Sequence, residues 1–280
     1  MKPQAPQDQR STQPHAPARN ADAYATLTGQ ASSGVVVVCD HASNALPPDT
    51  ASLGLPDAEL QRHIAWDIGA AAVARHVALT LQAPAVFTCH SRLLIDCNRG
   101  IDDPTLIMRL SDGAVVPGNR VLTSVERQHR IDCYYAPYHR EIARLIDLAV
   151  LAGQPPVLVS IHSFTDLWRG RKRPWHCGVL WDKDPRLADV LLRGLRQNAG
   201  LMVGDNEPYS GRLKGDCLWQ HGTQRGLAHA IIEVRQDLIA DDDGQRKWGE
   251  RIAAILCEAL AAPSVRADLQ TVRRYGSHTD

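Results

Sequence analysis

The chain predicts an α/β layered fold with a largely parallel sheet and helices on both faces, on three observations. Short runs of Val, Ile and Leu carry almost no polar interruption, as in strands buried on both sides. Helix-length amphipathic stretches alternate with those runs. Three of the apolar runs end in clusters of His, Asp, Glu and Arg, at the strand ends where such folds bind ligands.

In chain order, residues 34–39 are a Val run and read as a buried strand. Residues 57–81 are Ala-rich with apolar positions at helical spacing and read as one helix. Residues 84–90 form a short strand. Residues 125–151 are a long amphipathic helix, entered through Thr123 or Ser124 as cap, with Pro137 as a kink. Residues 156–162 and 176–181 are strands, and 185–198 a helix ended by Gly200. Residues 228–234 are a strand and 245–261 a final helix. The Gln/Pro/Ala/Ser-rich residues 1–23 predict a disordered leader, 24–263 a single catalytic domain, and 264–280 a polar C-terminal tail.

Composition narrows the function classes. Lys+Arg and Asp+Glu are 31 each, so no basic excess marks a nucleic-acid binder. A local basic patch at 169–173 reads as a solvated turn. Seven cysteines, an odd number without a CxxC pair, argue against a disulfide framework and for a reducing compartment. No stretch offers the roughly 20 apolar residues of a membrane span, and the N-terminal residues hold no apolar signal core. The reading is a cytoplasmic protein with no nucleic-acid or membrane partner. Nothing in the sequence specifies its oligomeric state.

The first strand runs out into Asp40-His41-Ala42-Ser43-Asn44, the central one into His162-Ser163, and the late one into Glu233-Val234-Arg235-Gln236-Asp237. If these strands are neighbours, two imidazoles, a carboxylate and a guanidinium meet at one sheet edge. Neutral imidazoles bind Zn²⁺, and a nearby carboxylate can take a proton from activated water. A strand-end histidine taken alone more often caps or hydrogen-bonds, and Glu233 could simply pair Arg235. Two such histidines in one sheet raise the ligand reading. A third ligand is needed, and Asn44, His63, Asp67, His90 and Asp96 are candidates. Asp67 is favoured, because a carboxylate on an apolar helical stretch is costly unless it meets a cation. His63, four residues earlier, would share its helix face.

Two further constellations carry binding chemistry. Ser91-Arg92-Leu93-Leu94-Ile95-Asp96-Cys97-Asn98-Arg99 packs two guanidiniums, a carboxylate and an amide into nine residues. Arg forks suit carboxylate substrates, although Asp96 and one Arg could pair merely to hold the loop. Asn206-Glu207-Pro208-Tyr209-Ser210-Gly211 is a loop by its turn chemistry and could act as a lid.

These motifs, taken in order with Pro47 and Trp66-Asp67, resemble the N-formylglutamate amidohydrolase family over residues 34–262. Ala42-Ser43-Asn44 after His41 departs from the usual pattern, as in a divergent branch. The resemblance implies a three-layer α/β/α sandwich with a mixed, mostly parallel sheet, similar to zinc carboxypeptidases. It implies Zn²⁺, or another divalent metal, on His41, Asp67 and His162, with Glu233 as general base and acid. It implies substrate contacts from Arg92, Asn98, Arg99, Asn44, Arg235 and Tyr209. The activity implied is hydrolysis of N-formyl-L-glutamate, or a related N-acyl amino acid, to formate and glutamate, the last step of one histidine-degradation route. Other readings are a same-fold amidohydrolase or peptidase with another substrate and a non-catalytic binder of an acidic metabolite. A cysteine hydrolase using Cys39 is weakened by the lack of an oxyanion elbow.

Overall fold

In a computed structural model, residues 18–20 and 23–280 are described. The leader expectation over 1–23 therefore lies largely outside the described residues. The sheet strands are β1 (Ala18–Asn20), β2 (Tyr24–Leu27), β3 (Val35–Cys39), β4 (Ala85–Thr88), β5 (Val157–Phe164), β6 (Cys177–Leu180), β7 (Val203–Asp205) and β8 (His229–Arg235). Among the described residues they form one eight-stranded sheet in the order β1-β2-β4-β3-β5-β8-β6-β7. Strands β4, β3, β5 and β8 run parallel through the middle. β2 and β6 flank them antiparallel, so the sheet is mixed.

Both faces of the central strands are buried, which is why their sequence shows runs rather than alternation. Val35, Val37, Val157, Val159, Ala230 and Ile232 pack on one face. That core is closed by α1 (Ala70–Leu81), α3 (Arg186–Arg196) and α4 (Asp242–Ala261). Val36, Val38, Leu158 and Ile231 pack on the other face, against the 93–97 segment and the long helix α2 (residues 124–151). The result is the three-layer α/β/α sandwich that the apolar runs predict. α2 spans residues 124–151 as Ser124–Arg130, Ile131–Tyr135 and Ala136–Leu151. Its start is a capping box: Thr123 accepts from the Glu126 N–H, and the Glu126 side chain accepts from the Thr123 N–H. Pro137 cannot extend the i→i−4 ladder. The turn before it is π-helical, with the Ala136 N–H donating to the Ile131 carbonyl.

One predicted element is corrected. Residues 57–81 are not one helix: a single turn, Asp57–Leu60, is followed by turns and then by α1. Gly69 has φ +81°, and a Cβ there would lie 2.4 Å from the Ile239 carbonyl oxygen. The Asp67 N–H donates to the His41 carbonyl at 3.0 Å, tying this turn to the end of β3. Tertiary hydrogen bonding overrides the helical propensity of the alanines. Asp67 thus stands in a turn before α1, and His63 does not share a helix face with it.

The polar 264–280 segment runs through α5 (Pro263–Leu269), with Leu269 and Ser277 buried. The His278 N–H donates to Asp182 Oδ2 at 3.1 Å. No helix among the described residues is long and apolar enough to cross a membrane.

Candidate active site

The sheet order makes β3, β5 and β8 consecutive, so their polar ends meet. His162 and Glu233 lie inside β5 and β8 rather than beyond them, directly opposite each other in the parallel register. They share the sheet face of Leu158 and Ile231, on the α2 side. Asp40 and His41 follow β3 immediately, and the turn before α1 brings in Asp67.

Asp67 Oδ2 is the hub. It lies 2.7 Å from His162 Nδ1, 3.3 Å from His41 Nδ1 and 3.3 Å from the Ser163 N–H. The opposite nitrogen of each ring meets its own carboxylate. His41 Nε2 is 2.7 Å from Asp96 Oδ1, and His162 Nε2 is 3.1 Å from Asp40 Oδ2. The imidazoles stand edge-to-face, with centroids 4.9 Å apart. One ligating atom each from His41, Asp67 and His162 lie within 4.8 Å of one another, all buried.

The second carboxylates are themselves held. Asp40 accepts from Tyr138 Oη at 2.9 Å and from Ser160 Oγ at 2.8 Å. Asp96 accepts from Arg92 Nε and Nη2 at 3.1 and 2.8 Å and from the Asn98 N–H at 2.9 Å. Burial by itself would raise the pKa of Asp40, Asp67 and Asp96. The neighbouring imidazoles, with Arg92 for Asp96, outweigh it and hold all three below the usual carboxylate range. Burial likewise disfavours a charged His162, yet the hydrogen bonds to Asp40 and Asp67 raise its pKa well above the ordinary value.

Glu233 behaves in the opposite way. Burial, reinforced by the Asp67 charge, pushes its pKa up to about 7, against the lowering by His162 and His41. Its Oε2 is buried without a hydrogen-bond partner among the described residues. An orphaned carboxylate oxygen beside a carboxylate–imidazole cluster marks a place for a cation or a reacting proton.

The cluster opens into a cavity of about 350 Å³. Arg92, Asn98, Arg99 and Tyr209 line it, together with His63, Thr165, Arg212 and Asp216. Arg92 is anchored on Asp96, with Nη1 3.6 Å from Asp67 Oδ1. Arg99 donates to the Asn98 carbonyl at 2.8 Å and to Thr105 Oγ1 at 3.2 Å. Asn98 Oδ1 accepts from the Cys217 N–H at 3.1 Å. Tyr209 Oη accepts from Arg173 Nη1 at 2.8 Å. Gly178 allows the Tyr209 loop to sit this close, since a Cβ there would meet the Glu207 carbonyl oxygen at 2.0 Å. The 169–173 patch is not uniformly solvated: Arg173 is buried, with its guanidinium over the Phe164, Trp168 and Tyr209 rings.

Two sequence candidates do not reach the cavity. Asn44 Nδ2 donates to the Leu60 carbonyl at 2.9 Å. Arg235 is taken up by Asp237 and by the Arg173 and Trp175 carbonyls. His90 and Asp96, weighed as third ligands, are also occupied elsewhere. His90 Nδ1 meets the Ala23 carbonyl at 3.2 Å, and Asp96 backs His41. Sequence reading misses Arg212 and Asp216, which the loop after Tyr209 carries to the cavity. It also misses Asp40 and Asp96 as partners of the two imidazoles. A carboxylate next to His41 at the end of an all-buried strand is the one signal for the first.

The residues from 33 to 240 match the family model of N-formylglutamate amidohydrolase. The chain belongs to the N-formylglutamate amidohydrolase family. Members of this family hydrolyse carbon–nitrogen amide bonds, and the chain is an enzyme of that class. Its structure is similar to the gene product Atu2144 from Agrobacterium tumefaciens, at 35% identity and TM-score 0.81, over 87% of this chain and 97% of that one. It also shares its fold with an N-formylglutamate amidohydrolase from Ralstonia eutropha JMP134, at 22% identity and TM-score 0.62, over 88% of this chain and 99% of that one. Among curated proteins none matches.

Proposed function

We propose that the enzyme is a divalent-metal amidohydrolase that cleaves N-formyl-L-glutamate, or a closely related N-acyl acidic amino acid, releasing the acyl acid and the free amine. The observation that carries this reading is the convergence of His41, Asp67 and His162 beside a buried Glu233 oxygen that has no hydrogen-bond partner among the described residues.

The donor set fits a zinc-class ion. Two imidazole Nδ1 atoms and one carboxylate are a common catalytic trio, and each imidazole has its other nitrogen on a carboxylate. His41, Asp67 and His162 would hold the ion, which when bound supplies Lewis acidity toward water and the amide carbonyl. Asp40 and Asp96 keep the Nε2 protons in place, which would leave Nδ1 of each ring as the nitrogen to hold the ion. Glu233, with its raised pKa, accepts a proton from the attacking water and returns it to the leaving amine nitrogen. Arg92, Arg99 and the more exposed Arg212 supply positive charge for substrate carboxylates, with Asn98 and Tyr209 on the walls. Asn44 and Arg235 take no part. The cavity suits a compact amino-acid derivative. Seven free cysteines support a cytoplasmic setting. The reaction would serve the end of a histidine-degradation route.

The test is a substrate panel run on protein loaded with Zn²⁺, Co²⁺ or Mn²⁺. Formate release should be fastest from N-formyl-L-glutamate, weaker from neutral N-formyl amino acids, and absent from metal-free protein. A metal-loaded protein that turns over no N-acyl amino acid, yet melts higher with glutamate present, would replace this reading with that of a binder. Preference for acidic peptides over N-formyl substrates would make it a peptidase.

A further inference from the structure

A second group of ligating side chains lies outside the cavity, on the α2 side of the sheet. His139 stands on α2, His221 on the π-helical turn Trp219–Thr223, and Cys217 two residues before that turn. All three are buried, and one ligating atom from each lies within 4.8 Å of the others. His139 Nδ1 is 2.9 Å from His221 Nε2, and the two rings lie nearly parallel and edge to edge, with centroids 5.2 Å apart. The facing nitrogens can share only one proton between neutral rings. Of the two outer nitrogens, His139 Nε2 is buried and makes no close hydrogen bond among the described residues, though the ring interacts with the Cys97 backbone.

We infer that His139, His221 and Cys217 hold a second divalent ion of the zinc class, with a structural role. Two imidazoles and a thiolate are a zinc donor set. With metal–nitrogen and metal–sulfur lengths of about 2.0–2.3 Å, the donors of a tetrahedral site stand roughly 3.3–3.8 Å apart. In the cluster the two nitrogens are 2.9 Å apart and all three donors lie within 4.8 Å of one another, so binding requires the nitrogen contact to open and the thiol to swing in from Asp40. Binding breaks the Cys217 S–H bond, forms a sulfur–metal bond and sends one proton to solvent. The thiol now points to Asp40. The two positive charges of the ion would face one thiolate and the Asp40 carboxylate, a neutral arrangement in a buried site.

The position suggests what the ion does. Asp40 joins the two clusters: it accepts from Tyr138, one residue before His139, and it meets His162 Nε2 at 3.1 Å. An ion on His139, His221 and Cys217 staples α2 and the 219–223 turn behind the carboxylate that orients His162. It lies beneath the catalytic cavity and outside its lining.

Cobalt titration of the full-length metal-free protein tests this, because the catalytic cluster contains no thiolate. The wild type should bind two equivalents of Co²⁺, one of them with a thiolate-to-cobalt charge-transfer band in the near ultraviolet. Cys217→Ser should bind one equivalent and lose the band, with its circular dichroism unchanged. His41→Ala should also bind one equivalent but keep the band. Absence of the band in the wild type, or its survival in Cys217→Ser, overturns the second site. The wild-type spectrum decides even if a variant fails to fold. A single equivalent with the band would sustain this site and count against the catalytic one; a single equivalent without it would do the reverse.

Discussion

Two kinds of buried histidine occur in this molecule, and their contrast explains the site. His162 is almost fully enclosed, and so are His90, His139 and His221. Burial pushes His90 and His139 down to about 4 and His221 to about 3, so these rings stay neutral. At His162 two carboxylates reverse the same desolvation and raise the pKa. Burial alone therefore does not set the charge of an imidazole. What separates His41 and His162 from the others is a carboxylate at each ring nitrogen: Asp67 shared on one side, Asp96 or Asp40 on the other.

The largest effect should come from the carboxylate that belongs to neither ring. Glu233→Gln should leave bound metal unchanged and lower kcat by about 10²–10⁴-fold, the usual range for general acid–base groups. Metal analysis beside steady-state kinetics checks it, and near-full activity would remove Glu233 from the mechanism.

The carboxylate-free class is tested by pH. The folded-state pKa of His90 lies below the unfolded value near 6.5, at about 4. The unfolded chain therefore binds the proton more readily. The stability is intact above about pH 6.5 and is lost as pH falls through about 4, by on the order of 3 kcal/mol. Denaturant unfolding of metal-free protein between pH 7 and 4 should show this slope, and His90→Asn should flatten it. An equal slope in both proteins would mean that other groups set the acid limb.

Removing one outer partner is the next step down. Asp96→Asn leaves His41 Nε2 without its carboxylate and Arg92 without its anchor. Metal affinity or kcat should fall by roughly 10–100-fold, as for other outer-sphere carboxylates. Competition with a chromophoric chelator would reveal it, and unchanged affinity and rate would show the imidazole positioned without Asp96. The smallest effect should be at the cavity rim. Arg212→Gln should raise KM for N-formyl-L-glutamate by about tenfold with little change in kcat, the loss of one charged contact. The same KM shift for a neutral N-formyl amino acid would argue against a carboxylate contact.

Much of this architecture is legible in the chain. The Val run before Cys39 and the run 157–161 announce strands buried on both faces, and the Thr123–Glu126 box starts α2 as its residue types suggest. The convergence of the three polar strand ends is legible only conditionally, because it needs β3, β5 and β8 to be neighbours. Asp67 shows where local pattern fails. Its surroundings look helical, yet the Asp67 N–H is drawn to the His41 carbonyl and its side chain to two imidazoles. Asn44 and Arg235 fail for a related reason. Each lies near a candidate site residue in sequence, Asn44 near His41 and Arg235 near Glu233, but is turned toward another carbonyl or carboxylate.

The layers and the inventory of chemical groups are written in the chain, because burial periodicity and strand-end chemistry are local properties. It held the imidazoles, the carboxylates and the guanidiniums, and the family motifs that order them. Long-range packing sets which carboxylate each imidazole faces, which guanidiniums reach the cavity, and that Glu233 keeps a buried oxygen unpaired among the described residues. Those outcomes depend on strand order, register and a broken helix. They are set by hydrogen bonds between segments tens of residues apart, which no local pattern encodes.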